Sequence, residues 1–301
     1  MERQYHKPVM VSECLEGLNV KANGIYVDAT HGGGGHSRAI LEKLDSDGRL
    51  YAFDQDADAL ANAPDDARVK VIHANFRSMK SYLRLEGVRA VDGILADLGV
   101  SSHQIDEASR GFSTRTDGIL DMRMDQRQET SAKEIVNGYD ESELRQLLRM
   151  YGELPNATQI ARAICENRKN GEIATTSDLC NAVKRHLPKG YENKYLAMIF
   201  QAIRIEVNGE LDALKAMLEQ ATGLLNEGGR LVVISYHSLE DRLVKNFIKS
   251  GNFEGEIKKD FYGNPIVPLK AVNRKVGMPT DEEVMENSRA RSAKLRVAEK
   301  I

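Results

Sequence analysis

Cysteine, excess charge of one sign and long apolar runs are all scarce in this chain. Of its 301 residues only 3 are cysteine, and Cys14, Cys165 and Cys180 show no Cys-x-x-Cys spacing. That count and spacing exclude a disulfide framework and a thiolate zinc site, and point to reduced, mostly buried thiols in a cytoplasmic protein. The 42 Lys and Arg against 45 Asp and Glu leave a formal net charge of −3. A uniformly basic nucleic-acid coat is thereby excluded, and any contact with RNA must come from local basic patches. No apolar run approaches the roughly 18 residues that a membrane span needs. The start, Met1-Glu2-Arg3-Gln4-Tyr5-His6-Lys7-Pro8, is charged and is not followed by an apolar signal core, so secretion is not expected. Repeats and low-complexity tracts are missing too. What remains, 41% hydrophobic and 29% charged, is an ordinary globular composition with length for about two domains.

The first third alternates strand and helix patterns. Gly24-Ile25-Tyr26-Val27-Asp28-Ala29 reads as a strand ending in a glycine cluster, and residues 36–44 follow with Ile40, Leu41 and Leu44 at helical spacing. Leu50-Tyr51-Ala52-Phe53, residues 57–63, Val69-Lys70-Val71-Ile72-His73, residues 79–85 and Gly93-Ile94-Leu95-Ala96-Asp97 continue the rhythm. Such repetition implies right-handed βαβ crossovers and a doubly wound parallel sheet. The next convincing strand is Arg230-Leu231-Val232-Val233-Ile234-Ser235, far beyond one βα connection. Leu211, Leu214, Leu218, Ala221 and Leu225 trace a helix before it, with Gly228-Gly229 as a stop. Between lie helical patterns at 143–150, 158–167, 177–186 and 194–207. The predicted organisation is an α/β, Rossmann-like domain of residues 1–104 and 208–301, interrupted by a helical domain of residues 105–207. After a helix at 239–248, residues 291–299 alternate in a strand-like way: Ala293, Leu295 and Val297 share one face and Lys294 and Arg296 the other.

Chemistry concentrates at the carboxyl ends of the strands, where open α/β sheets bind ligands. Asp28-Ala29-Thr30-His31-Gly32-Gly33-Gly34-Gly35-His36-Ser37 puts four glycines between a strand and a helix, so backbone can approach a ligand without an intervening Cβ. About 20 residues on, Asp54 ends the second strand, the position of a ribose-binding carboxylate; Asp56 and Asp58 leave the choice among the three open. The dinucleotide fingerprint fails, because Ser37 or Arg38 stands where glycine or alanine is needed, and no Gly-Lys-Ser/Thr follows. An NAD-linked oxidoreductase is the alternative this disfavours. A phosphate-free nucleoside, S-adenosylmethionine, suits the loop better, with glycine backbone beside its methionine part, Asp54 on its ribose and Phe76 offering adenine an apolar face. Core packing is the ordinary alternative for Phe76.

Asp97 ends an otherwise apolar strand, where a carboxylate is costly unless paired or used. It could accept an N–H from an exocyclic amine and orient it for in-line attack on a sulfonium methyl, aided by the Leu98 carbonyl. DNA amino-methyltransferases place Asp/Asn-Pro-Pro-Tyr/Phe here; Asp97-Leu98-Gly99-Val100 has no such aromatic, so DNA is not the expected substrate. His237, at the end of the fifth strand, is a candidate substrate contact or proton acceptor, while Ser238 with Asp241 fits a helix capping box.

Taken together these segments resemble the bacterial small-subunit ribosomal RNA methyltransferase H (MraW) family nearly end to end. The likeness rests on His6-Lys7-Pro8-Val9-Met10, the two stretches at 28–37 and 92–102 with Gln104, Arg110-Gly111-Phe112-Ser113, Asp117-Gly118 and Leu120-Asp121-Met122-Arg123-Met124-Asp125. It continues in Phe200-Gln201-Ala202-Ile203-Arg204-Ile205 with Val207-Asn208, residues 228–242, and Asn287 with residues 289–296. The resemblance implies methylation of the exocyclic N4 of a cytidine in 16S rRNA near the decoding site, with S-adenosylmethionine as cofactor and the small ribosomal subunit as partner. It implies cofactor contacts at Gly34, Gly35, His36, Asp54, Phe76, Asp97 and Gln104. The chain departs from the family where His-Pro-Ala-Thr-Arg-Thr gives way to Lys194-Tyr195-Leu196-Ala197-Met198-Ile199, and where Ile119 replaces proline. A noncatalytic RNA-binding assembly factor is the competing function, and a homodimer stays open.

Phosphate contacts are expected from Arg289, Arg291, Lys294 and Arg296, from Lys258, Lys259, Lys270, Arg274 and Lys275, and from Arg110, Arg115 and Arg123. For the 289–296 cluster, an edge strand guarded by charge is the equal alternative. Extruding the target base is cheapest from single-stranded RNA.

Overall fold

The computed structural model describes residues 8–273 and 275–301; His6, Lys7 and Arg274 lie outside the described residues. The chain divides into two compact units, one of residues 1–99 with 211–301 and one of residues 100–210. These divisions stand a few residues outside those expected at 104 and 208, and they assign Gln104 to the second unit.

In the first unit the chain runs α1 (Val11–Leu18), β1 (Ile25–Asp28), α2 (Gly35–Leu41), β2 (Arg49–Asp54), α3 (Ala57–Leu60), β3 (Val69–His73), α4 (Met79–Leu85) and β4 (Val91–Asp97). The second unit holds α5 (Ser102–Asp106), α6 (Ala132–Gly138), α7 (Glu141–Met150), α8 (Ala157–Asn167), α9 (Thr176–Val183) and α10 (Glu192–Asn208). Then come α11 (Glu210–Leu224), β5 (Leu225–Ser235), α12 (Ser238–Ser250), β6 (Leu269–Ala271), α13 (Asp281–Glu286) and β7 (Lys294–Lys300).

Among the described residues seven strands form one sheet, ordered β3-β2-β1-β4-β5-β7-β6. The first five are parallel, and β7 lies antiparallel between β5 and β6. Chain order reverses between β1 and β4, which is the switch point where α/β ligands bind. One face of the sheet buries Val27, Phe53, Ile94, Leu231 and Val233 with Met79, Leu83, Leu214, Leu218 and Phe247 from helices. The other buries Tyr26, Leu50, Leu95, Val232 and Ile234 with Cys14, Leu18, Ile40 and Leu295. Strands buried on both faces read as near-continuous apolar runs, which is why they were visible in the sequence.

Local differences have local causes. Gly228-Gly229 is not a helix stop: α11 ends at Leu224, and the glycines lie inside β5. There the register jumps from Val91 opposite Leu225 to Gly93 opposite Arg230. Gly228 has φ 74°, and a Cβ on Gly229 would stand 2.8 Å from the Asn226 carbonyl oxygen, so the pair serves a bulge. The tail strand starts at Lys294 rather than 291, after a 3-10 turn over Ser288–Ser292. β6 pairs with residues 298–300 of β7, so the outermost strand on that side of the sheet is β6. The alternation of the tail holds: Ala293, Leu295 and Val297 are buried.

The second unit packs α6 to α10 around Leu120, Met122, Leu144, Leu148, Ile160, Ile164, Leu179, Ile199 and Ile203. Met122 is fully buried with a left-handed φ of 60°, a conformation costing roughly 1–2 kcal/mol. Asn208 at the end of α10 straddles it, accepting from the Met124 N–H (2.7 Å) and donating to the Met122 carbonyl (2.8 Å). Among the described residues no helix is long and apolar enough to cross a membrane. Cys14 is buried, Cys165 and Cys180 are half-buried, and all three are free.

Candidate active site

The glycine turn is built by closures that reach across three strands. The Ala29 N–H donates to the Leu95 carbonyl and the His31 N–H to the Phe53 carbonyl, both at 2.8 Å. Asp28, fully buried at the end of β1, accepts from the Thr30 N–H (3.1 Å) and the Ser37 hydroxyl (2.7 Å). The ring Nδ1 of buried His31 lies 2.9 Å from the same hydroxyl, and burial lowers its pKa. Gly32 and Gly34 have φ of 51° and 75°, which glycine alone adopts without strain. Gly35 is required for another reason: a Cβ there would stand 2.5 Å from the Pro8 ring.

The acidic residues after β2 differ in their contacts. Asp54 faces the turn, accepting from the Gly32 N–H at 2.7 Å and the Asp56 N–H at 2.9 Å. Asp56 instead caps α3, and Asp58 is exposed. Burial raises the Asp54 pKa to about 6 against the pull of those two amides. Phe76 follows β3 in a 3-10 turn and is half-buried against the core, so it packs and still presents some surface.

Asp97 ends β4, where its N–H donates to the Thr30 hydroxyl at 2.7 Å. Its Oδ1 accepts from the Tyr236 phenol at 2.8 Å. Its Oδ2 lies 3.8 Å from Nδ1 of His36, whose Nε2 sits 2.9 Å from the Val9 carbonyl oxygen. The Asp97 side chain keeps 23% exposure. Burial nonetheless lifts its pKa to about 6, opposed by His36 and by the Tyr236 hydrogen bond. Tyr236 in turn has its own pKa raised by burial and by the Asp97 charge.

His237 is tied elsewhere. It caps α12 in a reciprocal box with Glu240, which replaces the expected Ser238–Asp241 pair. Its Nε2 lies 3.2 Å from the Glu240 carboxylate. Asp241 instead binds Arg296 (2.7 Å) and Lys294 (3.4 Å). Gln104, in the second unit, is buried and closes the α5 capping box with Ser101.

The structure therefore brings Gly34, Gly35, His36, Asp54 and Asp97 together with Asp28, Thr30 and Tyr236, which sequence reasoning missed. Asp28 ends an apolar strand as Asp97 does, and the same argument could have found it. Tyr236 gave no local signal.

The expected basic surface is partly used up internally. Arg110 is buried, donating to the Arg123 and Met124 carbonyls at 3.0 and 3.3 Å. Arg123 is held by both Asp121 oxygens at 2.8 Å. Lys294 and Arg296 pair with Asp241, so Arg110, Arg123 and Arg296 are engaged by carbonyls and carboxylates of the chain itself, while Lys294 keeps 37% of its side chain exposed. Arg115, Arg291, Lys258, Lys259, Lys270 and Lys275 are exposed.

Residues 3–301 match the sequence profile of the MraW methylase family. The chain is 56% identical over 298 residues to ribosomal RNA small subunit methyltransferase H of Flavobacterium johnsoniae, covering 99% of this chain and 98% of that protein. The protein of the same name from Cytophaga hutchinsonii is 55% identical over 298 residues, covering 98% and 99%. A solved rRNA methylase from Streptococcus thermophilus overlays with a TM-score of 0.43 at 13% identity, over 97% of this chain and 95% of that one.

Proposed function

The chain belongs to the MraW methylase family, and on that premise we propose that it methylates the exocyclic N4 of a cytidine in 16S rRNA with S-adenosylmethionine. The substrate is the small ribosomal subunit at its decoding region, in the cytoplasm.

One observation carries this reading. Three carboxylates, Asp28, Asp54 and Asp97, end the adjacent strands β1, β2 and β4, and among the described residues no lysine or arginine pairs with them. Asp28 and Asp97 repel one another, as do Asp28 and Asp54. A phosphate would be repelled there, whereas a cationic ligand relieves the repulsion. The same turn lacks the dinucleotide glycine pattern. S-adenosylmethionine, a cation with a ribose and no phosphate, fits this donor set; when bound, it supplies an electrophilic methyl carbon on sulfonium sulfur.

The chain's residues do the rest. Asp54 keeps lone pairs beyond its two amide partners with which to accept ribose hydroxyls. The Gly32–Gly35 backbone would border the methionine part, and Phe76 would offer adenine an apolar face. Asp97, ionised above about pH 6, accepts an N–H of the cytosine amine. That contact draws the nitrogen lone pair out of the ring and holds it in line for attack. N4 would take the methyl group that bound S-adenosylmethionine supplies, and Asp97 would accept the surplus proton from N4 and pass it to solvent. Tyr236 fixes one Asp97 oxygen so that the other faces the amine. We assign His237 to holding Glu240 and the start of α12, not to proton transfer.

The test is to incubate labelled S-adenosylmethionine with unmethylated small subunits and identify the modified nucleoside. N4-methylcytidine is expected; no label, or label on another atom, overturns the proposal.

A further inference from the structure

Between α12 and β6 the chain folds into a hairpin that no residue of the proposed reaction uses. The Ile266 N–H donates to the Lys258 carbonyl and the Asp260 N–H to the Asn264 carbonyl, both at 2.8 Å. The Asp260 carboxylate braces the tip, accepting from the Tyr262 and Asn264 N–H groups (2.9 and 2.8 Å) and from the Asn264 side-chain amide (3.1 Å). Gly263, with φ 87°, closes the turn. The hairpin's approach is anchored too: Phe253 stacks on Phe247 of α12 at 5.1 Å, and Asn246 donates to the Phe253 carbonyl at 2.8 Å.

At this braced tip Phe261 is 98% exposed and Tyr262 86% exposed, their rings perpendicular at 5.6 Å. Two adjacent aromatics held in water on an ordered turn forgo burial that a core position would give them. Lys258 and Lys259 flank them, both exposed. The stretch of sequence that contains them differs in charge from the chain as a whole. Residues 245–275 hold seven Lys and Arg against three Asp and Glu, a net of +4 on a chain whose total is −3. Open aromatic faces flanked by two exposed lysines are complementary to a single-stranded polyanion whose bases stack on π-faces while lysines meet phosphates.

We propose that this hairpin is a docking finger for unpaired rRNA, with Phe261 or Tyr262 stacked on a base and Lys258 and Lys259 on its phosphates. The inference rests on the rRNA substrate proposed above and deepens it. Its place in the fold defines its role. The 13 residues of α12 start beside the carboxyl end of β5 and carry the chain back about 20 Å. The hairpin root is therefore at the opposite end of the sheet from Asp97. Contact there adds affinity for a large RNA without touching the reacting base.

The experiment joins kinetics to crosslinking on small ribosomal subunits. Phe261→Ala combined with Tyr262→Ala raises KM for the subunit roughly 5- to 150-fold, the range for losing one base–aromatic stack, with kcat, S-adenosylmethionine affinity and Tm unchanged. Phe261→Trp in the Tyr262→Ala background restores KM. Lys258→Glu with Lys259→Glu raises KM and flattens its salt dependence. A photoreactive benzoylphenylalanine at position 261 crosslinks to an rRNA nucleotide. Crosslinking to a ribosomal protein or to a second copy of the chain overturns the proposal, as does an unchanged KM, including one accompanied by lost binding to anionic vesicles. Should the wild-type protein bind subunits and transfer no methyl group, the proposed function fails, while the crosslinked species and the variants' subunit affinity still decide the finger.

Discussion

The strand-end carboxylates of the sheet unit and the paired carboxylates of the helical unit are held in opposite ways. In the helical unit they are satisfied by cations and caps. Burial pushes the Asp121 pKa up, but three hydrogen bonds from Arg123 outweigh it and hold the group below its ordinary value. Glu210 binds both arms of Arg204 at 2.8 and 2.9 Å, and Glu134 is held low by the Ser131 hydroxyl. In the sheet unit Asp54 and Asp97 meet amides, a phenol and a histidine, and burial carries both up to about 6. Paired carboxylates brace a fold; carboxylates left without a full cationic partner are poised to bind one. The contrast separates structure from chemistry more sharply than exposure does, since Asp121 and Asp97 are both largely shielded from solvent.

The most severe break comes from Asp97→Asn. It removes the charge while keeping the shape, and should lower kcat by about 100- to 1,000-fold, as loss of a preorganised transition-state contact does, and weaken S-adenosylmethionine binding as well, since one of the three carboxylates that favour the cation loses its charge. Undiminished transfer would make Asp97 an ordinary strand-end carboxylate. The same variant tests linkage. The folded pKa lies above the unfolded one, so the stability from neutral Asp97 is complete below about pH 4 and lost as pH rises through about 6. Asp97→Asn should therefore raise Tm more at pH 8 than at pH 5.

Asp54→Ala comes next. Losing a charged acceptor costs about 1.5–3 kcal/mol, so calorimetry should record S-adenosylmethionine binding weakened by roughly 10- to 100-fold. Wild-type affinity would show that Asp54 serves only the Gly32 amide. Tyr236→Phe is milder, with kcat about tenfold lower at neutral pH by the loss of a charge-assisted hydrogen bond. The wild-type rate should rise with pH through about 6, as Asp97 ionises. Because the phenol favours ionised Asp97, its removal should move that limb to higher pH; an unmoved limb would strip Tyr236 of its positioning role. Smallest at the site is Asn208→Ala in the helical unit. It should cost about 1–3 kcal/mol of stability through the orphaned Met124 N–H and Met122 carbonyl, with S-adenosylmethionine affinity unchanged.

Much of the sheet was legible because its strands are apolar on both faces and bounded by turn residues. β3 and α4 appear where periodicity puts them, at Val69–His73 and Met79–Leu85. Asp97 was legible because a charge closing a run of Gly93-Ile94-Leu95-Ala96 contradicts its surroundings. The β5 bulge was not, since a glycine pair after a helical pattern has the same local look whether it stops a helix or bends a strand. The fate of the arginines was equally hidden. Arg110 and Arg123 read as an RNA patch, and only folding shows their guanidiniums turned onto carbonyls and Asp121.

Amino-acid order alone settled the alternating βα rhythm, the glycine turn, the helical insertion and the carboxylates that end the strands, because each is written in neighbours within a few residues. Three-dimensional packing decided which carboxylate faces the glycines and which phenol, 139 residues away in the chain, grips Asp97. The physical reason is range. Periodicity and turn chemistry act over one element, whereas the Asp97 environment exists only once β4 and β5 lie side by side and exclude the water that would otherwise have kept its pKa ordinary.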